Sequence, residues 1–120
     1  MKLLESGENY LETILMEQTR LGAVRSIDIA NALGYSKPTI SIAMKHLREN
    51  GYILVDEGGF LSLTQQGREI AEKIYERHEV IAHLLMGIGV SEAVAYADAC
   101  KIEHDISDET FRCLRDIQSL

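Results

Sequence analysis

Between Ser26 and Thr64 the chain alternates helix signals with turn signals in an order that few folds can use. Ser26 is a good N-cap, and Ile27, Ile29, Ala30 and Leu33 form a short apolar helical stripe. Gly34 can take the left-handed conformation that ends a helix. Ser36 caps a second helix with Pro38 in its first turn, where a missing N–H costs nothing. That helix runs through Ile40, Ala43, Met44 and Leu47 until Gly51 stops it. Tyr52 to Val55 and Phe60 to Leu63 read as short strands joined by the hairpin turn Asp56, Glu57, Gly58, Gly59. Ala30, Gly34 and Ile40 supply the small residue, the turn and the buried aliphatic that a helix-turn-helix needs. Helix, turn, helix, hairpin is the order of a winged helix-turn-helix, whose second helix enters the major groove of DNA.

A net charge of −7 is unusual for a DNA-reading chain, so its distribution decides. Residues 1–19 carry −3, residues 20–62 carry +1 and residues 63–120 carry −5. Only the winged segment escapes the acidity, and basic groups gathered on one side of it suffice to meet phosphates. The footprint is small, so tight binding requires a dimer or a neutralising ligand. With 120 residues, 46% of them apolar, the chain suits one domain or two small packed parts, and self-association would help bury its surface. No apolar run approaches the ~18 residues of a membrane span, and no signal peptide is visible, which points to a cytoplasmic protein. There Cys100 and Cys113 stay reduced, with Cys113 read as core.

The remainder reads as helical. Tyr10, Leu11, Ile14 and Leu15 recur at helical spacing in a helix of about 15 residues. Thr64 caps a long helix with Ile70, Ala71, Ile74, Tyr75, Ile81 and Leu85 on one face. Met86 to Gly89 breaks it, Ser91 opens a helix to about His104, and Ser107 with acidic Asp108 and Glu109 opens a last one. The predicted fold is mainly α with a small β-wing. A winged helix-turn-helix occupies residues 1–70, followed by a helical metal-binding and dimerisation domain over residues 71–120.

A constellation of possible metal ligands lies outside the winged segment. Cys100, Glu103 and His104 stand at i, i+3 and i+4, so a thiolate, a carboxylate and an imidazole share one helical face. His78 falls amid the apolar arc of the long helix, whereas His83 lies on its solvent side. A bare imidazole against aliphatics needs a partner, and either a metal or a core hydrogen bond would serve. Asn9 and Glu12 are i, i+3 neighbours at the edge of the first apolar stripe, a placement that a solvated edge explains equally.

Four stretches carry a more specific likeness: Glu8-Asn9-Tyr10-Leu11-Glu12, Ser36-Lys37-Pro38-Thr39-Ile40-Ser41, Tyr75-Glu76-Arg77-His78, and the long run from Asp98 to Ser107 around Cys100, Glu103 and His104. On these, residues 4 to 120 resemble the diphtheria toxin repressor and manganese transport regulator family of metal-dependent repressors. The resemblance implies an N-terminal winged helix, a helical dimerisation domain formed by the helices from Ser91 to Ile117, and a regulatory metal held between them. It assigns Cys100, Glu103 and His104 to a C-terminal ligand cluster, His78 to the long helix and Glu12 to the first. Cys100 is similar to the iron-responsive branch, where the manganese branch has Glu. Asn9 stands where the family has Met or Asp, and Ala82 and Tyr96 replace Glu and His of the iron branch's second site. The SH3-like third domain of longer members is not in the sequence, as in a short two-domain member or a trimmed one.

The function so implied is a repressor that takes Fe(II) or Mn(II) as co-repressor and binds a palindromic operator as a homodimer, controlling metal-uptake genes. Co(II), Ni(II) or Zn(II) would bind in vitro by raw affinity. Its partners are double-stranded DNA and a second copy, with no membrane and no protein substrate. Ser36, Lys37, Pro38, Thr39 and Ser41 are the candidates for base and backbone reading, with Arg25, Lys45 and Arg48 gripping phosphates. A winged-helix regulator sensing an organic ligand near Tyr75 and Tyr96 is the alternative. Nothing resembles a nucleophile–base pair, so the chain is not read as an enzyme.

Overall fold

The computed structural model describes residues 5–118, so the sequence likeness at Leu4 and at residues 119–120 lies outside the described residues. The elements follow in the order α1 (Glu5–Leu21), α2 (Ser26–Leu33), α3 (Lys37–Glu49), β1 (Ile53–Val55), β2 (Leu61–Leu63), α4 (Gln65–Gly87), α5 (Glu92–Ile102) and α6 (Asp108–Gln118). They form a winged helix and a helical segment, grouped in two compact units divided between Glu72 and Lys73.

The first unit folds around Leu11 and Ile14 of α1, Ile29 and Ala30 of α2, Ile40, Met44 and Leu47 of α3, and Ile53 and Leu61 of the wing. Gly34 ends α2 at φ 71°, a left-handed position that suits glycine, and its N–H bonds back to Ala30 O at 2.9 Å. Ser36 caps α3 by accepting the N–H of Thr39 at 3.3 Å. The wing pairs Ile53 with Leu63 and Val55 with Leu61 in antiparallel register. Thr64 joins wing to helix. Its hydroxyl donates to the carbonyls of Gly51 and Tyr52 and accepts the N–H of Gly67. Gly67 is there because a Cβ would overlap the Tyr52 carbonyl oxygen.

Several local expectations change. Arg25, not Ser26, is the N-cap of α2, because the Asp28 carboxylate at N3 accepts the Arg25 N–H at 2.9 Å, the reciprocal half of a capping box. The strands are one residue shorter than predicted, since Tyr52 turns into the core and Phe60 forms an isolated bridge with Arg25. Tyr75 is 40% exposed rather than part of the apolar face of α4. Cys113 is exposed on α6, where that helix buries Phe111 instead.

In the second unit, Ile81 and Ala82 of α4 pack against Ala99 of α5, with Leu85, Tyr96, Ile102 and Ile106 around them. The small residues Ala82 and Ala99, both fully buried, let the two helices approach closely. The turn after Ile102 carries Glu103 and His104 out of the regular helix, two residues earlier than the sequence suggested. Ser107 then caps α6 by accepting the N–H of Thr110 at 3.1 Å.

Candidate metal centre and nucleic-acid interface

Glu103 sits at the C-cap of α5 with no exposed surface. Its Oε2 lies 3.0 Å from Nδ1 of His78 on α4, and its Oε1 lies 3.3 Å from Nε2 of His104. Both imidazoles are largely sequestered, with side chains 13% and 1% exposed. The His78 ring also stands 5.2 Å from that of Tyr96. The Tyr96 hydroxyl donates to Glu79 at 3.0 Å, and that bond raises its pKa above the ordinary tyrosine value. Cys100 is half-buried on α5, one turn before Glu103. In the first unit, Glu12 is buried on α1 and Asn9 is half-buried, with the Asn9 carbonyl accepting the Thr13 hydroxyl.

The residue that organises this turn is Arg77, which sequence reasoning passed over. Its Nη1 donates to the carbonyls of Glu103 and Ile106 at 3.1 and 3.0 Å, and its Nη2 pairs with Asp108. Its guanidinium also lies 5.2 Å from the centre of the Phe111 ring. Lys73 reaches the same Asp108 carboxylate at 3.1 Å, and chiefly Lys73, with Arg77, holds the Asp108 pKa below its usual range. The signal was available: Arg77 falls between Ile74 and Ile81 on the buried side of α4, a place for a cation only if partners await it.

The arrangement suits a divalent ion. Glu103 Oε1 is buried and has no hydrogen-bond partner among the described residues. A buried carboxylate with one oxygen lacking a hydrogen bond, even with His104 Nε2 3.3 Å away, costs about 1–3 kcal/mol or more. A cation would offset it, and a carboxylate flanked by imidazoles is a donor set for Mn(II), Fe(II) and later metals.

The DNA-reading candidates gather at the start of α3. Ser36, Lys37, Pro38, Thr39 and Ser41 are all exposed, and a shallow cleft beside them is lined by Ser26, Ile27, Lys37 and Ser41. Lys45 and Arg48 are exposed farther along the helix, with Lys45 3.9 Å from Glu49. Arg25 stacks over the Phe60 ring at 4.3 Å, which anchors its guanidinium at the base of the wing. At the wing tip Asp56 accepts the N–H of Phe60 at 2.9 Å, so its carboxylate serves the turn.

Comparison with known proteins agrees with both halves. Residues 2–58 match the model of the iron dependent repressor N-terminal DNA binding domain, and residues 64–118 match the iron dependent repressor metal binding and dimerisation domain. The transcriptional regulator MntR of Escherichia coli is 33% identical over 108 residues, which are 90% of this chain and 70% of that protein. The chain belongs to the iron-dependent repressor family, the family of diphtheria toxin repressor and MntR. Among solved structures, the manganese regulator SloR superposes with a TM-score of 0.83 and 25% identity over 94% of this chain. A manganese-dependent transcriptional repressor in complex with manganese gives 0.85, again at 25% identity over 94%. The chain spans 53% and 52% of those two structures. Iron-dependent repressors are transcriptional regulators rather than enzymes, and no described helix is long and apolar enough to cross a membrane.

Proposed function

We propose that this chain is a cytoplasmic repressor of metal-uptake genes that takes Fe(II) or Mn(II) as co-repressor and binds a palindromic operator as a homodimer. The observation that carries the reading is Glu103, a fully buried carboxylate set between two imidazoles with one oxygen lacking a hydrogen bond. His78, Cys100, Glu103 and His104 are the ligands of the second unit. Glu12 is the carboxylate contributed by α1, and Asn9 the weaker amide donor. Bound there, the ion supplies positive charge and a fixed coordination geometry.

The protein's part is linkage. Ligands drawn from two units are satisfied together in few arrangements, so binding selects the arrangement in which two α3 helices reach successive major grooves, about 34–36 Å apart. Ser36, Lys37, Pro38, Thr39 and Ser41 then meet the groove, while Arg25, Lys45 and Arg48 neutralise phosphates. Neutralising Glu12 and Glu103 also reduces the acidity that opposes DNA. Fe(II) is favoured by the thiolate of Cys100.

Calorimetric titration of metal-free protein with Mn(II) and, anaerobically, Fe(II) tests the reading, alongside a Cys100→Ala, His104→Ala double variant. Binding by the parent and its loss in the variant are the expected result. Absence of binding by either ion would return the switch to another class of ligand.

A further inference from the structure

Helix α3 turns Ile40, Met44 and Leu47 into the core, yet leaves Ile42 61% exposed. Pro38 and Thr39 precede Ile42 by one helical turn, so the three side chains share a face. The two hydroxyls of that first turn bond to each other, which uses one of their two O–H donors. Ser36 Oγ lies 2.8 Å from Thr39 Oγ1 and also accepts the Thr39 N–H. Beside these hydroxyls and that of exposed Ser41, the face offers three adjoining apolar groups: a proline ring, a threonine methyl and an isoleucine side chain. Its flanks are basic, with Lys37, Lys45 and Arg48 exposed on the same helix.

An exposed aliphatic on a helix that also exposes Lys37, Lys45 and Arg48 is suited to packing against a thymine while the cations meet phosphates. The major-groove edge of thymine carries a 5-methyl group, and no other base of DNA presents one there. We infer that Ile42 is a specificity-determining residue that reads thymine in each operator half-site through its 5-methyl group. The inference rests on the DNA-binding role proposed above and adds to it a base, a chemical group and a residue. Isoleucine neither donates nor accepts a hydrogen bond, so the discrimination comes from burying a methyl group. The preference is for thymine over cytosine at one position, without selection for a purine.

The test is selection of randomised duplex DNA by the full chain in Mn(II), comparing the parent with Ile42→Ala and Ile42→Gln. Exposure of Ile42 makes both variants fold as the parent does, which thermal melting checks. The expected result is a thymine preference in each half-site that both variants lose. Deoxyuridine at that thymine should weaken parent binding about fourfold, the worth of one buried methyl group, and leave Ile42→Ala binding unchanged. Deoxyuridine tolerated at every position, or an equal penalty in the parent and Ile42→Ala, overturns the inference and leaves DNA reading intact. A parent pool with no enriched sequence overturns both.

Discussion

Replacing Glu103 by glutamine should move stability and metal binding in opposite directions. The substitution keeps the shape of a side chain that has no exposed surface, and it removes the charge. Leaving a buried acceptor without a donor costs about 1–3 kcal/mol, and more when the acceptor is charged. Glu103 Oε1 is in that position, whereas Oε2 keeps His78 as a partner at 3.0 Å. A glutamine oxygen can retain the His78 contact and its amide N–H can donate to His104 Nε2, which lies 3.3 Å from Oε1, so removing the charge recovers most of the penalty. At about 4 °C per kcal/mol for a chain of this size, metal-free Glu103→Gln should melt about 4–12 °C above the metal-free parent. Metal reverses the order. A ligand about 100-fold above its Kd adds about 2.7 kcal/mol, or roughly 10 °C on the same scale. The parent should rise by that much in excess Mn(II), and the variant should barely respond. Thermal melting by circular dichroism in chelator and in Mn(II) gives all four values. A metal-free variant less stable than its parent would refute the burial argument. A variant with the full metal-induced rise would remove Glu103 from the ligands.

Arg77→Met should cost about 3 kcal/mol in urea unfolding, because the carbonyls of Glu103 and Ile106 lose their donor. Arg77→Lys should restore little of it, since an ammonium cannot bridge two carbonyls and Asp108 with a fixed fork. Gly67→Ala should lower stability by about 3 kcal/mol or more, also by urea unfolding, because the new methyl meets the Tyr52 carbonyl. Asp108 has a lowered pKa, so its pairing stabilises the fold fully above the ordinary carboxylate value of 3.8 and is lost as pH falls through the lowered one. Asp108→Asn should therefore cost stability at pH 6 (roughly, well above that range) and converge with the parent in strong acid, as urea midpoints across pH would show. Cys100→Glu should shift selectivity toward Mn(II), because a carboxylate replaces a softer thiolate. Competition between Mn(II) and Co(II) checks it, and unchanged selectivity would take Cys100 out of the coordination shell.

The winged segment was legible because its signals are local. Gly34, Ser36 and Thr64 each act on backbone groups a few residues away or at an adjacent element, and the structure uses them as caps and turns. Where neighbours compete, the sequence was ambiguous. Ser26 and Asp28 both offer an oxygen at the start of α2, and the carboxylate reaching back to Arg25 prevails. Tyr75 fits the period of the α4 stripe but lies exposed at its edge, a question of which surfaces meet rather than of spacing. The metal candidates were legible as residue types at i, i+3 and i+4. Their geometry was not, because α5 ends at Ile102 and the turn that presents Glu103 and His104 is held by Arg77, 26 residues earlier than Glu103. No local pattern encodes that long-range bond, although a cation among Ile74 and Ile81 announces that some bond must exist.

Control of DNA binding by metal occupancy would show in the anisotropy of a labelled duplex, carrying a sequence selected by the protein, titrated with full chain in Mn(II) and in chelator at fixed salt. Tightening by about tenfold or more in Mn(II), a coupling of about 1.4 kcal/mol or more, is the expected result. Equal affinity in the two conditions would contradict metal control and leave a DNA-binding protein whose metal site does not govern it.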